Sequence, residues 1–221
     1  MEIRIDDSIK NAVLHFKIGV IHYTDIRINE SPQMLKGRLR LYQEKIFFDL
    51  EEKNVTDVDG IKEWRRVFKA VGTDPNRYRP SNEALYRRIQ KQQYLHTIHS
   101  AVDLNNFFSI QYEIPFGIYD LDHISGNVLL KIGTERDEYE AINGRTVIMQ
   151  NKLVTVDEKG AFGSPYVDSK RTAVHHSTKN ALHIVYLRPS MTIQHAENMI
   201  NTISNMFTQI HGGEAKYEII S

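Results

Sequence analysis

"VDLNNFFSIQYEIPFGIYDLDHISG", Val102 to Gly126, changes its period partway along. Up to about Ile110 the apolar residues Ile98, Ala101, Val102 and Phe108 share one helical face, which predicts a helix over Ile98–Ile110. From Ile114 they come as short β-branched and aromatic runs broken by turn residues, which predicts strands, the first over Ile114–Tyr119. The same stretch collects Asp103, Asn105, Asn106, Gln111, Glu113, Asp120 and Asp122 among large apolar residues. A surface would not need so many aromatics, and a core would not tolerate so many carboxylates. The segment is therefore expected to line a pocket, with the backbone around Asn105 and the 115–120 bend closing over a cavity.

Toward the N-terminus, Val13 to Ile28 is rich in β-branched and aromatic residues and reads as one or two strands, with Gly19 as a bulge or bend. Ser31-Pro32 resembles an N-cap followed by proline at the first helical position. Leu35, Leu39, Tyr42, Ile46 and Leu50 then keep helical spacing, which predicts a long amphipathic helix from Pro32 to about Lys53. A second helical pattern, Ile61, Trp64 and Phe68, runs over Asp57–Phe68, and its aromatics read as core. Asp74-Pro75 and Arg79-Pro80 are turn punctuation, because the residue before proline is pushed out of the helical region. Ser81 can cap a short helix through about Gln92, with Glu83 near the positive end of its dipole.

Toward the C-terminus, Val128–Ile132, Thr146–Met149, Leu153–Val156 and Ala181–Leu187 are short strand candidates separated by Gly, Asn and Asp turns. Ile193, Ala196, Met199, Ile200, Ile203, Met206, Phe207 and Ile210 form a helical stripe ended by Gly212-Gly213. No repeat or low-complexity linker interrupts the 221 residues, so one α+β unit is expected.

Twenty-eight basic residues balance 28 acidic ones. That neutrality argues against a general nucleic-acid clamp, whose affinity comes mostly from neutralised phosphates, though not against a site that grips one RNA end. The absence of cysteine rules out disulfides, iron–sulfur clusters and thiolate catalysis. Met1 to Lys10 lacks the order of a signal peptide, and no apolar run approaches the roughly 20 residues of a membrane span, so a cytoplasmic protein is expected.

Three blocks, "GTDPNRYRPSNEALYRR" (72–88), "IHSAVDLNNFFSIQYEIPFGIYDLDHISG" (98–126) and "VDSKRTAVHHSTKNALHIVYL" (167–187), resemble the B3/B4 domain of the phenylalanyl-tRNA synthetase beta subunit, and more closely the freestanding B3/4 proteins. The resemblance implies a layered β/β/α fold, mixed sheets with outer helices, with residues 61–221 as the core and 1–60 as an N-terminal strand and helix extension. In the synthetase this domain hydrolyses tyrosine wrongly attached to the phenylalanine tRNA. A freestanding copy would look like a trans-acting editing protein, its partner the 3′ end of an aminoacyl-tRNA or a small amino-acid-like ligand. One departure stands out. Gly117 occupies the place of the histidine in the synthetase's Pro-x-His-x-Phe-Asp turn, here Pro115 to Asp120, and the Gly-Gly-Glu-like segment is matched only loosely by Gly163-Ser164-Pro165-Tyr166, with Asp168 close by. Thr178-Lys179-Asn180 retains the Thr-x-Asn part.

An activated ester needs a positioned water and donors where negative charge develops, so it tolerates a site without a triad. Asn105 could orient substrate, Gly117 leaves room for close approach, and Glu113 or Asp120 could hold a free amino group. Tyr119, Asp168 and Thr178 complete the candidate substrate-binding set, with no catalytic residue assigned. Equally, Asp103, Asn105 and Asp120 could serve as turn and cap residues that satisfy backbone donors. His96, His99 and Asp103 could share a helical side and His175-His176 precedes His183, yet neighbouring strand residues point to opposite faces, and no metal or cofactor is expected. Arg77, Arg87, Arg88 and Lys91 could form a patch for tRNA phosphates. The rival to editing is a non-catalytic module that binds an amino acid, a small metabolite or tRNA.

Overall fold

The computed structural model describes residues 1–221. In chain order its elements are β1 (Ile3–Ile5), α1 (Asp7–Ala12), β2 (Ile18–Thr24), α2 (Gln33–Asp49), α3 (Asp59–Ala70), α4 (Ser81–Gln90), α5 (Ser100–Tyr112), β3 (Phe116–Asp120), β4 (Val128–Ile132), β5 (Glu138–Glu140), β6 (Thr146–Ile148), β7 (Leu153–Asp157), β8 (Gly160–Gly163), β9 (Ala181–Tyr186), α6 (Ile193–His211) and β10 (Glu214–Ile220). Ile18, Val20, Ile21 and Tyr23 of β2 are all fully buried, on both faces of the strand, so β2 belongs inside a sheet covered on two sides. It lies there: β10-β2-β9-β3 form one antiparallel sheet. The second sheet, β1-β4-β7-β8, is mixed, with β1 parallel to β4 and the other pairs antiparallel, and β5-β6 form a separate hairpin.

Side-chain alternation along β3 fixes the layers. Phe116 faces α5, with its ring 6.0 Å from that of Phe108, whereas Tyr119 faces the second sheet and meets Phe162 of β8 edge-on at 5.1 Å. Helices α5 and α6 cover one face of the antiparallel sheet, α2 and α4 lie outside α5, and the mixed sheet covers the other face. The result is the expected α+β, β/β/α layering. The main apolar cluster runs from Ile3 to Phe207 and includes Trp64 and Phe68, and a smaller one gathers Tyr139, Ala141, Met149, Val154 and Ala161.

Residues 1–60 are woven into this core: they supply a parallel partner for β4 and the interior strand β2. Gly19 is neither bulge nor bend. It keeps regular register with Val185 and Ile219, and a Cβ there would run into the side chain of Ile200, so the glycine lets α6 approach the sheet. The cap residues also differ from expectation. Pro32 and Pro80 occupy the N-cap positions of α2 and α4 without side-chain caps, and the Ser31 hydroxyl donates to buried Asp103 at 2.5 Å. Asp103 also accepts from the Ile98 amide at 2.8 Å, so this carboxylate ties the α2 entry to the α5 entry.

Glu83 of α4 is completely buried and clamped by Arg65 of α3 at 2.8 Å and Arg87 at 2.8 Å. Both arginines keep some contact with water, so they can rehydrate if the carboxylate is removed. Glu83→Ala is accordingly expected to cost about 2 to 3 kcal/mol, near the low end for breaking a buried pair, read as a lower denaturant midpoint at unchanged slope. A loss below about 0.5 kcal/mol would mean that the pair acts like an exposed one.

Candidate functional site

The antiparallel sheet separates residues that the sequence suggested would meet. Asn105 lies on the helix side, where its Oδ1 accepts from His183 Nε2 at 3.1 Å. Fully buried His183 of β9 sits among the rings of Phe108, Phe116 and Phe207, and this desolvation pushes its pKa down to about 3. Glu113 stands at the entry to β3, in the left-handed region at φ 60°. Its carboxylate accepts from the Gly60 amide at 3.0 Å and its carbonyl from Asn82 Nδ2 at 2.6 Å, so it joins the ends of α3, α4 and α5 and faces no common cavity with Asn105. At the far end of β3, Asp120 accepts from the Asp122 amide at 3.0 Å and from the Thr178 hydroxyl, bracing the turn that follows the strand.

Gly117, Tyr119 and Asp168 do come together, on the face toward the mixed sheet. The Tyr119 ring lies in a slot between two glycines: a Cβ at Gly117 or at Gly163 would collide with its phenol. The hydroxyl donates to Asp168 Oδ1 at 2.7 Å, and the Ser164 amide approaches the same oxygen at 3.4 Å. Burial raises the Tyr119 pKa well above its ordinary value. Asp168 is half-buried as a residue, but its carboxylate is desolvated, which raises its pKa to about 7 against the opposing hydrogen bonds from Tyr119 and Ser164. The buried Tyr186 hydroxyl lies beside the Tyr119 hydroxyl. The space expected to hold a ligand's aromatic group thus holds the protein's own phenol. Volume absent at Gly117 is refilled from two residues further along the same strand face.

None of the five best-formed surface clefts is lined by Asn105, Gly117, Tyr119, Asp120, Asp168 or Thr178. The histidines do not converge on a metal position either, and no group of three or more His, Asp or Glu is placed to hold an ion. His99 caps α5, accepting from the Val102 amide at 3.4 Å, and His211 Nδ1 donates to the Phe207 carbonyl at 2.9 Å.

The basic surface also differs from expectation. Arg77 lies over the Tyr78 ring, and Arg87 is held by Glu83, which partly neutralises the anticipated patch. A different one exists on α3. Lys62, Arg66 and Lys69 occupy positions i, i+4 and i+7 of its exposed face and form no ion pairs. With Arg65 and Thr56 they line a polar hollow of about 180 Å³. The sequence signal for this stripe was present: Ile61, Trp64 and Phe68 fix the buried face and leave the three cations opposite.

A family model for the B3/4 domain matches residues 63–211, more than half of the chain, and the chain belongs to that family. Over 213 residues it is 32% identical to the uncharacterized protein YhzB of Bacillus subtilis, covering 96% of both chains. It is 22% identical over 226 residues to the phenylalanine-tRNA ligase beta subunit of Fusobacterium nucleatum, and 23% over 146 residues to that of Neisseria gonorrhoeae. These alignments take in 90% and 65% of the chain but only 26% and 18% of the ligase subunits. A crystal structure of an N-terminal fragment of the Pyrococcus horikoshii phenylalanyl-tRNA synthetase beta subunit covers 97% of the chain with 50% of its own length, at 14% identity and a TM-score of 0.47. No helix is long and apolar enough to cross a membrane.

Proposed function

We propose that this protein is a non-catalytic tRNA-binding module. The observation that carries the reading is the filled slot: Tyr119 occupies the space between Gly117 and Gly163 and its hydroxyl is bonded to Asp168. An aminoacyl group has no room there while the phenol stays. The likeness to phenylalanine-tRNA ligase beta subunits supports tRNA as the partner, and the unpaired cations of α3 support phosphate contact. Along a helix the three cations are spaced by about 6 and 4.5 Å of axial rise, close enough to serve neighbouring phosphates of one strand.

Fluorescence anisotropy with unfractionated tRNA tests this. Three phosphate contacts give an expected slope of about −2 to −3 in log affinity against log salt. Combined reversal of Lys62, Arg66 and Lys69 to Glu, all at exposed positions, is expected to weaken binding by at least about tenfold without changing stability. Absence of binding at low salt, or release of amino acid from any member of a mischarged-tRNA panel by the unaltered protein, would remove the proposal.

Editing is the second reading, and Asp168 favours it. Its carboxyl borders the slot, with its pKa raised by burial to about 7 while Tyr119 fills it, and departure of the phenol would leave a carboxylate facing the vacated space as a general base.

A further inference from the structure

We infer that the cleft between α1 and α3 binds a small aliphatic carboxylate. The cleft measures about 620 Å³, within the usual range of ligand sites, and lies away from the Tyr119 slot. One wall is apolar: Val13 and Leu14, just after α1, face Val67 and Ala70 of α3, and Leu14 is 76% exposed with nothing covering it. The other wall is charged, with Lys62 and Arg66 of α3 and Arg188 from the turn before α6 set around Glu63. An aliphatic surface beside three cations, of which Lys62 and Arg66 form no ion pair and Arg188 only a long one, matches a carboxylate on a short hydrocarbon body.

Arg188 supplies the second observation. Its guanidinium makes no hydrogen bond within the protein, lies a long 4.0 Å from Glu63, and belongs to a side chain that is 27% exposed. Glu63 is already engaged by Ser190, whose amide donates at 2.7 Å and whose hydroxyl donates at 2.8 Å. The exposed N–H donors of this guanidinium are therefore free to meet a carboxylate in the cleft. The turn is held in place from beneath: buried Lys17 donates to the Pro189 carbonyl at 2.9 Å and to the Arg188 carbonyl at 3.4 Å. The residues on either side of the cleft are therefore anchored before a ligand arrives. Asp59 on the rim gives a place for an ammonium group, so the carboxylate could belong to a free amino acid or to a simple fatty acid.

Titration of the full chain with octanoate, L-leucine and octanol, followed by amide chemical shifts, tests the assignment. Saturable shifts at Val13, Val67 and Ser190 are expected with octanoate or leucine, and none with octanol. Tighter binding of leucine identifies the amino-acid source, and tighter binding of octanoate the fatty-acid source. Leu14→Asn and Arg188→Gln are each expected to weaken binding by at least about tenfold. Leu14 is far more exposed than a folding residue, and Leu14→Asn adds no charge beside Lys62 and Arg66, so tRNA affinity is expected to persist in Leu14→Asn. No saturation by either acid below about 10 mM, or saturation that both variants leave unchanged, overturns the inference.

Discussion

Acidification from pH 7 to pH 5 is expected to remove at least about 2 kcal/mol of folding stability, the net of two opposed sets of buried groups, with His22 and His99, whose pKa values burial also lowers, adding to the loss. His183 and His211 are buried as neutral rings, with pKa values depressed from 6.5 to about 3 and about 4. Each donates one ring N–H inside the fold and accepts at the other nitrogen: His183 between Asn105 and the Tyr23 hydroxyl, His211 between the Phe207 carbonyl and the Ser100 hydroxyl. A second proton would reverse the hydroxyl hydrogen bond and place a charge on a ring cut off from water. Below pH 6.5 the unfolded chain takes up protons that the folded chain refuses, so stability is complete above that pH and falls toward pH 4 and 3. At pH 5 each ring contributes a loss of about 2 kcal/mol, or about 4 together.

Asp168 acts in the other direction. Its pKa is raised from 3.8 to about 7, so the folded state binds the extra proton and gains stability as pH falls through that window. The gain by pH 5 is about 2 kcal/mol, half the histidine loss. Hydrogen-bonded Asp6, Asp137 and Asp157, whose pKa values are lowered, add further loss only in stronger acid. Denaturant unfolding at a series of pH values checks the sign and the size. Asp168→Asn should steepen the decline by removing the opposing proton uptake, and a curve that is flat or rising from pH 7 to pH 5 would show that the two histidines are not held neutral.

Tyr119→Ala is expected to destabilise the protein by about 4 kcal/mol, lowering the melting temperature by roughly 10 °C. The large term is the cavity left between Gly117, Gly163 and Phe162, because neither glycine has a side chain to relax into it. A smaller term is the donor lost to Asp168, and Tyr119→Phe, which removes only the hydroxyl, isolates it at about 1 to 2 kcal/mol. If the slot keeps its shape, p-cresol should fill it and restore part of the melting temperature, since a ligand at ten times its dissociation constant adds about 1.4 kcal/mol. No response to p-cresol would mean that the two sheets collapse onto each other. The same variant separates the two functional readings: release of amino acid by Tyr119→Ala, but not by the unaltered chain, identifies the phenol as a block on an editing site, whereas inactivity of both supports binding alone.

Helices whose apolar residues kept a 3.6-residue period were legible within a few positions, as with Ile193–His211 and Gln33–Asp49. Strands β1 and β8 escaped because three or four residues, two of them glycine in β8, carry too little periodicity to register. Strand β10 escaped for another reason. It is an edge strand that alternates Glu214, Lys216 and Glu218 with weakly buried partners, so its hydrophobic signal is faint until β2 is seen beside it. His183 was visible as a polar residue within the apolar run Ala181–Leu187, but its partner Asn105 lies 78 positions away.

By itself the amino-acid order determined the family blocks, the switch from helix to strand after Ile110, the buried stripe of α3 and, opposite it, the cations Lys62, Arg66 and Lys69. The tertiary structure alone decided which of the marked residues meet. Strand alternation sends Gly117 and Tyr119 toward one side of a sheet while Asn105 packs on the other, and the pairing of distant strands brings Gly163 and Asp168 to the phenol. Sequence proximity could not reveal this, because a strand reverses direction at each residue and the neighbours that fill a slot arrive from other parts of the chain.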